Sequence, residues 1–158
     1  MLSKRLTEWL NNMNRNAEDT LPTDLVVKSA HAEWIGEEIT GNPSRIGILM
    51  DIPSTSMEFY LQEIPVGGSS DLQRHLHESV HYVLEGEGYS EIGPQRVVWE
   101  RGDFVYTPSW VWHRHYNTGG TTVRMIIIEN SKLIERVTLN RRESAGLREY
   151  AQLMEEKQ

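Results

Sequence analysis

Residues 102–117 read GDFVYTPSWVWHRHYN, and this stretch is the part of the sequence that decides the fold. It holds two runs rich in aromatic and β-branched residues, 103–107 and 110–116, which are typical of short strands. Gly102 precedes the first run and Pro108 lies between the two, as expected where tight turns bound the strands. The stretch therefore predicts a strand–turn–strand unit.

The same pattern of short strand-like runs extends from residue 45 to residue 129. Each run is bounded by glycine or proline, which favours turns. Besides the two runs above, the predicted strands are 45–52, 56–64, 79–85, 88–92, 95–100 and 121–129. Because no helical periodicity separates them, the sequence predicts an all-β fold, namely an antiparallel sandwich or barrel.

Helices are expected at the two ends of the chain. Apolar residues recur at helical spacing over residues 1–19, including Leu2, Leu6 and Leu10, and again in the tail at Leu147, Tyr150 and Met154. For the tail helix, the sequence predicts a capping box of Asn140 and Glu143, with Arg141 and Arg142 at a solvated helix start. We predict a single domain, 1–158, with an N-terminal helix and extension (1–44), a barrel (45–130) and a helical tail (131–158).

The composition excludes several classes of function. The 158 residues include no cysteine, which removes disulfides, thiolate metal sites and cysteine nucleophiles. A formal net charge of −7 disfavours binding to nucleic acids and to anionic membranes. The apolar runs are too short to span a bilayer, and the N-terminus does not resemble a signal peptide. We therefore expect a cytoplasmic protein whose partner is a small molecule.

Histidine placement points to chemistry. Five of the six histidines lie in two short stretches, at His75, His77 and His81 and at His113 and His115. Since side chains alternate across a strand, histidines of one parity share a face, and neighbouring strands would bring the rings together. Imidazole binds divalent transition metals, so the clusters favour a metal site. His31 stands alone and is expected to be an ordinary structural or surface residue.

Two motifs carry a resemblance to the cupin superfamily. Gly102, Pro108, His113 and Asn117 match the second cupin motif, Gly-x5-Pro-x4-His-x3-Asn, at every spacing. The segment 75–88, HLHESVHYVLEGEG, resembles the first motif, His-x-His-x3/4-Glu-x6-Gly. The resemblance covers about residues 45–130. It implies a jelly-roll β-barrel, flanked here by an N-terminal and a C-terminal helix, with a metal ion held inside.

The glutamate of the first motif has no obvious counterpart, which leaves two alignments. In the alignment that we prefer, His81 takes the place of the glutamate and Gly88 is the closing glycine. The resemblance then implies an all-histidine set of metal ligands, formed by His75, His77, His81 and His113.

The second alignment makes Gly86 the closing glycine. Gln73 and His75 then form the pair, and Ser79 falls in the position of the glutamate. Both alignments retain His75 and His113. Gln73 and His115 are therefore kept as possible ligands or as residues that support the ligands.

The finer resemblance is to gentisate 1,2-dioxygenase-like proteins, through the segment 110–115. It implies a dioxygenase that acts on a small aromatic or enolisable acid, with Fe(II) favoured and Mn, Zn, Ni or Cu as alternatives. Tyr106, Trp110 and Trp112 are the predicted aromatic lining of a substrate pocket. Two other functions remain open: a metal-dependent isomerase or lyase acting through an enolate, and a non-enzymatic cupin that binds a small molecule. The apolar stripes of the terminal helices favour a homodimer.

Overall fold

The computed structural model describes residues 3–13, 22 and 24–156. Within these ranges the strands are β1 (Glu33–Ile35), β2 (Arg45–Ile48), β3 (Glu58–Ile64), β4 (Gln73–His75), β5 (Ser79–Glu85), β6 (Glu87–Ile92), β7 (Gln95–Glu100), β8 (Phe104–Thr107), β9 (His113–Asn117), β10 (Val123–Glu129) and β11 (Arg142–Ser144). The helices are α1 (Lys4–Met13), α2 (Glu37–Thr40), α3 (Ser131–Arg136) and α4 (Tyr150–Glu155), and a 3-10 turn covers Ser29–His31.

The strands form two antiparallel sheets, so the predicted all-β fold is confirmed. One sheet has six strands in the order β1-β2-β3-β10-β5-β8, and the other has five in the order β11-β4-β9-β6-β7. Strands β4 and β9, which carry His75 and His113, are neighbours in the five-stranded sheet. Strand β5, which carries His81, belongs to the six-stranded sheet.

The hydrophobic core lies between the two sheets and follows the alternation of side chains along each strand. In β10, Val123, Met125 and Ile127 are buried, whereas Arg124 is exposed. Val123 and Met125 pack in one cluster with Trp99 from β7 of the other sheet. The inward face of β10 therefore has odd numbers, and its last residue, Glu129, has the same parity.

The tail differs from its prediction. Residues Arg142–Ser144 form the strand β11 rather than the start of a helix, because they pair with β4. The predicted capping box of Asn140 and Glu143 is therefore wrong, and the tail helix α4 begins at Tyr150 with a capping box formed by Glu149 and Gln152. Arg142 therefore lies on a strand and not in a helix, and its side chain forms an ion pair with the buried Asp71.

The remaining predicted strands agree with the structure to within a few residues. Strands β5 and β7 have the predicted bounds, and the strand predicted at 110–116 is shorter, because β9 begins at His113. Strand β1 lies in residues 23–44, which were predicted to be irregular or to hold short strands, whereas β4 and the short helix α2 were not predicted. Helix α1 covers part of the helix predicted over residues 1–19, and residues 14–19 and Leu2 lie outside the described residues.

In the described part of the chain, no helix has the length and apolar character needed to cross a membrane. The apolar positions that favour a homodimer are largely accessible to solvent, since Leu6, Leu10 and Leu147 are among the exposed large hydrophobic residues. Both the homodimer and the cytoplasmic location stay predictions.

Candidate metal centre

Three of the predicted histidines are in ring contact at the end of β4. The rings of His75 and His77 are stacked, with centroids 3.7 Å apart. The ring of His113, from the adjacent β9, meets His75 edge-on at 4.7 Å. All three side chains are buried. The pairing of β4 with β9 therefore brings imidazoles from the two motif segments into contact, as the sequence predicts.

Backbone carbonyl groups fix the tautomers of two of these rings. Nδ1 of His75 lies 2.8 Å from the carbonyl oxygen of His77, and Nδ1 of His113 lies 2.9 Å from that of Val111. A carbonyl oxygen only accepts hydrogen bonds, so Nδ1 carries the proton in each ring. The lone pair is then on Nε2, and Nε2 of His113 is buried with no hydrogen-bond partner. This is the arrangement in which a neutral histidine binds a metal.

A carboxylate joins the cluster from the opposite sheet. Oε2 of Glu129, the last residue of β10, lies 3.1 Å from Nε2 of His77. One ligand atom from each of His75, His77 and Glu129 lies within 4.8 Å of the other two. His81 and His113, both in the described part of the chain, do not join this group. The donor set that the structure brings together thus differs from the all-histidine set of the sequence analysis, because it includes an acidic residue.

His81 and His115 form a second pair of rings, with centroids 4.3 Å apart. Nε2 of His81 lies 3.2 Å from Oγ of Ser79. Nδ1 of His115 lies 2.7 Å from Oγ of Ser90, which also accepts a hydrogen bond from Trp99. His115 is thereby hydrogen-bonded, through Ser90, to strands β6 and β7 of the five-stranded sheet. His81 still lines the cavity described below.

Burial keeps these imidazoles neutral. Desolvation, followed by the positive charge that His77 can carry, lowers the pKa of His75 to about 4. Desolvation, with His113 and His75 as lesser causes, lowers the pKa of His81 to about 3. Desolvation also holds the pKa of His113 and of His115 well below the usual value. Neutral rings at pH 7 have the lone pairs that a metal ion requires.

A cavity of about 480 Å³ opens beside these histidines. Its polar lining includes Gln73, His75, His77, His81, Glu58, Tyr60, Gln62, Glu129 and Arg142, and its apolar lining includes Ile35, Ile39, Ile46, Ile48 and Ile127. Gln73, which the second alignment places in the histidine pair, accepts a hydrogen bond from Arg142 through Oε1. A small organic molecule of about ten non-hydrogen atoms fits a cavity of this size.

The aromatic residues predicted to line the substrate pocket do not line this cavity. Trp110 and Trp112 stack on the guanidinium of Arg74, whose Cζ lies 4.3 Å and 4.8 Å from their ring centroids. Tyr106 is half exposed on β8 and donates a hydrogen bond to Glu78. The three aromatic side chains thus contact Arg74 or Glu78 and do not contribute to the cavity lining. Trp110 and Trp112 precede β9, which begins at His113 and not at residue 110.

Trp110 nevertheless supports the metal centre through its backbone. Its φ of 59° lies in the left-handed region, which is unfavourable for a tryptophan. Its N–H donates to the carbonyl oxygen of His75 at 2.6 Å, and Ser109 donates to the carbonyl oxygen of Leu76 at 2.6 Å. The turn before β9 therefore holds the segment that carries His75 and His77 in place through two hydrogen bonds.

Two residues of the site were missed by sequence reasoning. Glu129 could have been found from parity, since it follows Ile127 on the inward face of a predicted strand. Arg142 could not have been found in this way. It reaches the cavity because β11 pairs with β4, which places Arg142 opposite His75 although the two residues are 67 positions apart in the sequence. That pairing has no local sequence signal.

The fold and the paired motifs define the class of protein. Residues 60–129 match the family model of the cupin domain. This range runs from β3 to the end of β10 and includes both histidine clusters. Over these residues the chain therefore resembles a cupin domain, in agreement with the resemblance of the two motifs.

Similar proteins include aromatic-ring dioxygenases. The chain is 35% identical over 65 residues to gentisate 1,2-dioxygenase 1 of Aquipseudomonas alcaligenes, which covers 40% of this chain and 19% of that protein. The solved salicylate 1,2-dioxygenase of Pseudoaminobacter salicylatoxidans, in an adduct with gentisate, matches 92% of this chain and 37% of its own with a TM-score of 0.58. Its 15% identity shows likeness of fold alone.

A smaller protein matches over nearly its whole length. The predicted oxalate decarboxylase of Thermotoga maritima is 25% identical, with a TM-score of 0.57, and the match covers 66% of this chain and 97% of that chain. By contrast, the chain spans about a fifth of the length of the gentisate dioxygenase named above. The comparisons therefore show a likeness to cupins, including these dioxygenases.

Proposed function

We propose that this chain is a mononuclear metal-dependent dioxygenase acting on a small aromatic or enolisable acid. The observation that carries the proposal is the convergence of His75, His77 and Glu129 on the lining of one cavity. Two imidazoles and one carboxylate are the donor set typical of non-haem Fe(II) oxygenases, so Fe(II) is the favoured metal, ahead of Mn, Zn, Ni or Cu.

The chemistry of the donors fits a divalent cation. The tautomer of His75 leaves Nε2 free to bind, and Glu129 cancels part of the charge of the ion. His113 adds a buried nitrogen without a partner next to His75, which makes it the candidate for a further ligand. A metal held by these residues would supply a Lewis-acidic, redox-active centre for the reaction of an acidic substrate with dioxygen.

The chain's own residues would bind and orient the substrate. Ile46, Ile48 and Ile127 give the cavity an apolar wall that suits a carbon skeleton and excludes water. The carbonyl oxygens that hold His75 and His113 fix the directions of the two rings, so the donor atoms need not reorganise when an ion binds. The role of the protein is thus mainly to position the reactants.

The test combines metal content with oxygen uptake. Protein purified without a histidine tag is loaded with Fe(II) under argon and analysed for iron, and its oxygen consumption is then measured with gentisate, salicylate and an acyclic enolisable acid. We expect about one iron per chain and oxygen uptake with at least one of these acids. Both should be lost in His75→Ala and retained in His31→Ala, since His31 is exposed and does not line the cavity.

Two results would contradict the proposal in different ways. Metal-dependent conversion of an acid without oxygen uptake would instead support an isomerase or lyase acting through an enolate. Wild-type protein that retains no metal would instead support a non-enzymatic cupin that binds a small molecule.

A further inference from the structure

Arg142 brings a positive charge to the cavity from outside the cupin motifs. It lies on β11, and the pairing of β11 with β4 places it opposite His75. Among the described residues that line the cavity, Arg142 is the one lysine or arginine. Its side chain is 44% exposed, so the guanidinium is accessible to a ligand in the cavity rather than enclosed in the core.

The orientation of this guanidinium is fixed by two hydrogen bonds on one side. Nε donates to Oε1 of Gln73 at 2.8 Å, and Nη2 donates to Oδ2 of Asp71 at 2.7 Å. Within the described part of the chain, the remaining nitrogen, Nη1, makes no hydrogen bond. Arg142 therefore presents a free N–H edge in a set direction, which a flexible surface arginine does not.

A buried polar network supports that orientation. Asp71 is fully buried and also accepts hydrogen bonds from Asn42 and Ser144. Asn42 in turn accepts from Ser44, which accepts from Gln62 on β3. Arg142 is thus connected through hydrogen bonds to the inner face of the six-stranded sheet, so its position is coupled to the fold as a whole.

We propose that Arg142 binds the carboxylate of the substrate while an oxygen atom of the same molecule reaches the metal. A guanidinium edge matches the geometry of a carboxylate and forms charge-assisted hydrogen bonds with it. The occupant of the cavity is then a small carboxylic acid with a second oxygen near the carboxyl group. This inference rests on the proposed metal site, since that site anchors the other end of the ligand.

The experiment compares two probes that share a ring and differ in one group. Salicylate has a hydroxyl and a carboxylate, and catechol has a second hydroxyl in place of the carboxylate. Each is titrated by calorimetry into Fe(II)-loaded protein under argon, so that no turnover occurs. In Arg142→Gln we expect the affinity for salicylate to fall at least about tenfold, the scale of one charged hydrogen bond. The affinity for catechol and the iron content should stay unchanged.

Two further variants guard against loss of folding. Removing Arg142 leaves the buried Asp71 without its cation, which is destabilising. Arg142→Lys keeps a cation but lacks the planar edge, and the double variant Asp71→Asn/Arg142→Gln removes both charges. Both should weaken the binding of salicylate selectively. The matched control is Arg141→Gln, because Arg141 pairs with Glu143 and does not line the cavity.

The outcomes separate this inference from the proposed function. Unchanged affinity for salicylate in the folded Arg142 variants would overturn the inference, as would an equal loss for both probes or wild-type protein that binds neither. Selective loss of salicylate binding without oxygen uptake in the wild type would support the inference and reject the dioxygenase. Iron-dependent oxygen uptake that does not require Arg142 would reject the inference alone.

Discussion

Nε2 of His77, in the bend between β4 and β5, lies 3.1 Å from Oε2 of Glu129, the last residue of β10. Both side chains are largely buried. A carboxylate only accepts hydrogen bonds, so without a cation the ring donates its Nε2 proton to Glu129. For a metal ion to bind Nε2 of His77, this proton would have to leave that nitrogen, and Nδ1 of the same ring, which is buried with no hydrogen-bond partner, can take it.

The first prediction concerns this carboxylate. Glu129→Gln keeps the shape of the side chain but removes its charge, so the affinity for Fe(II) should fall at least about tenfold. The measurement is calorimetric titration of metal-free protein with Fe(II) under argon.

The control for this variant is Glu85→Gln. Glu85 lies on β5 with its side chain 54% exposed and pairs with Arg124 rather than with a histidine. Its substitution should leave the affinity for Fe(II) unchanged. Equal iron affinity in wild type and Glu129→Gln would remove Glu129 from the donor set and return the site to histidines alone.

The sequence predicts what depends on local pattern. The bounds of β5 and β7 follow from β-branched residues between glycine turns, and the alternation along β10 identifies its buried face. The spacing of His75 and His113 within their motifs predicts that the rings approach each other, and the structure brings them to 4.7 Å. These features need no information about distant parts of the chain.

What the sequence does not predict depends on pairing between distant segments. Strand β11 exists because it pairs with β4, and its three residues carry no strand pattern that distinguishes them from a helix start. The cavity lining likewise depends on which residues of β2, β3 and β10 meet. Trp110 and Trp112 were expected to line the cavity because their rings lie close to the second motif in the sequence, but both residues precede β9, which begins at His113.

The second prediction tests the structural role of His115. In Ser90→Ala, Nδ1 of His115 and the indole N–H of Trp99 both lose their buried partner. Leaving buried polar groups unpaired costs about 1–3 kcal/mol each, so the free energy of unfolding should drop by at least about 1 kcal/mol in urea denaturation. Iron content should not change. Ser29→Ala, at an exposed position, should stay within about 0.5 kcal/mol of the wild type.

A different result would change the assignment of His115. If Ser90→Ala lowered iron content while stability stayed the same, His115 would bind the metal or support its ligands. Its role would then not be limited to stabilising the sheet through Ser90. That outcome would favour the possibility, left open by the sequence, that His115 belongs to the donor set.

The third prediction concerns acid stability of the metal-free protein. Folding lowers the pKa of His75 from 6.5 to about 4 and that of His81 to about 3. Between these values and 6.5 the unfolded chain binds more protons than the folded chain, so stability rises with pH in that window. The free energy of unfolding should therefore fall by at least about 1 kcal/mol as the pH is lowered from 7 to about 4.

Urea denaturation at a series of pH values measures this dependence. His81→Gln should reduce the slope because it removes one buried titrating ring, whereas His31→Gln should leave the slope unchanged because His31 is exposed. A stability that is flat from pH 7 to 4, or a slope that His81→Gln does not alter, would contradict neutral burial of these rings.

The fourth prediction concerns the glycine that closes the first motif in the preferred alignment. A Cβ on Gly88 would lie 1.9 Å from the carbonyl oxygen of Tyr116 and 2.6 Å from the indole of Trp99. The first of these is backbone of the paired strand β9, which cannot move without breaking the ladder between β6 and β9. Gly88→Ala should therefore lower the free energy of unfolding by more than about 2 kcal/mol, at the upper end of overpacking penalties.

Gly120→Ala is the matched control, because an added Cβ at Gly120 meets nothing within 4 Å. It should be neutral or slightly stabilising, since alanine restricts the unfolded chain more than glycine does. Because β9 carries His113 and His115, Gly88→Ala should also reduce iron content even where the protein still folds. A Gly88→Ala protein with wild-type stability and full iron content would show that the contact of β6 with β9 is looser than the structure has it, and that the glycine at this position of the motif serves no steric purpose.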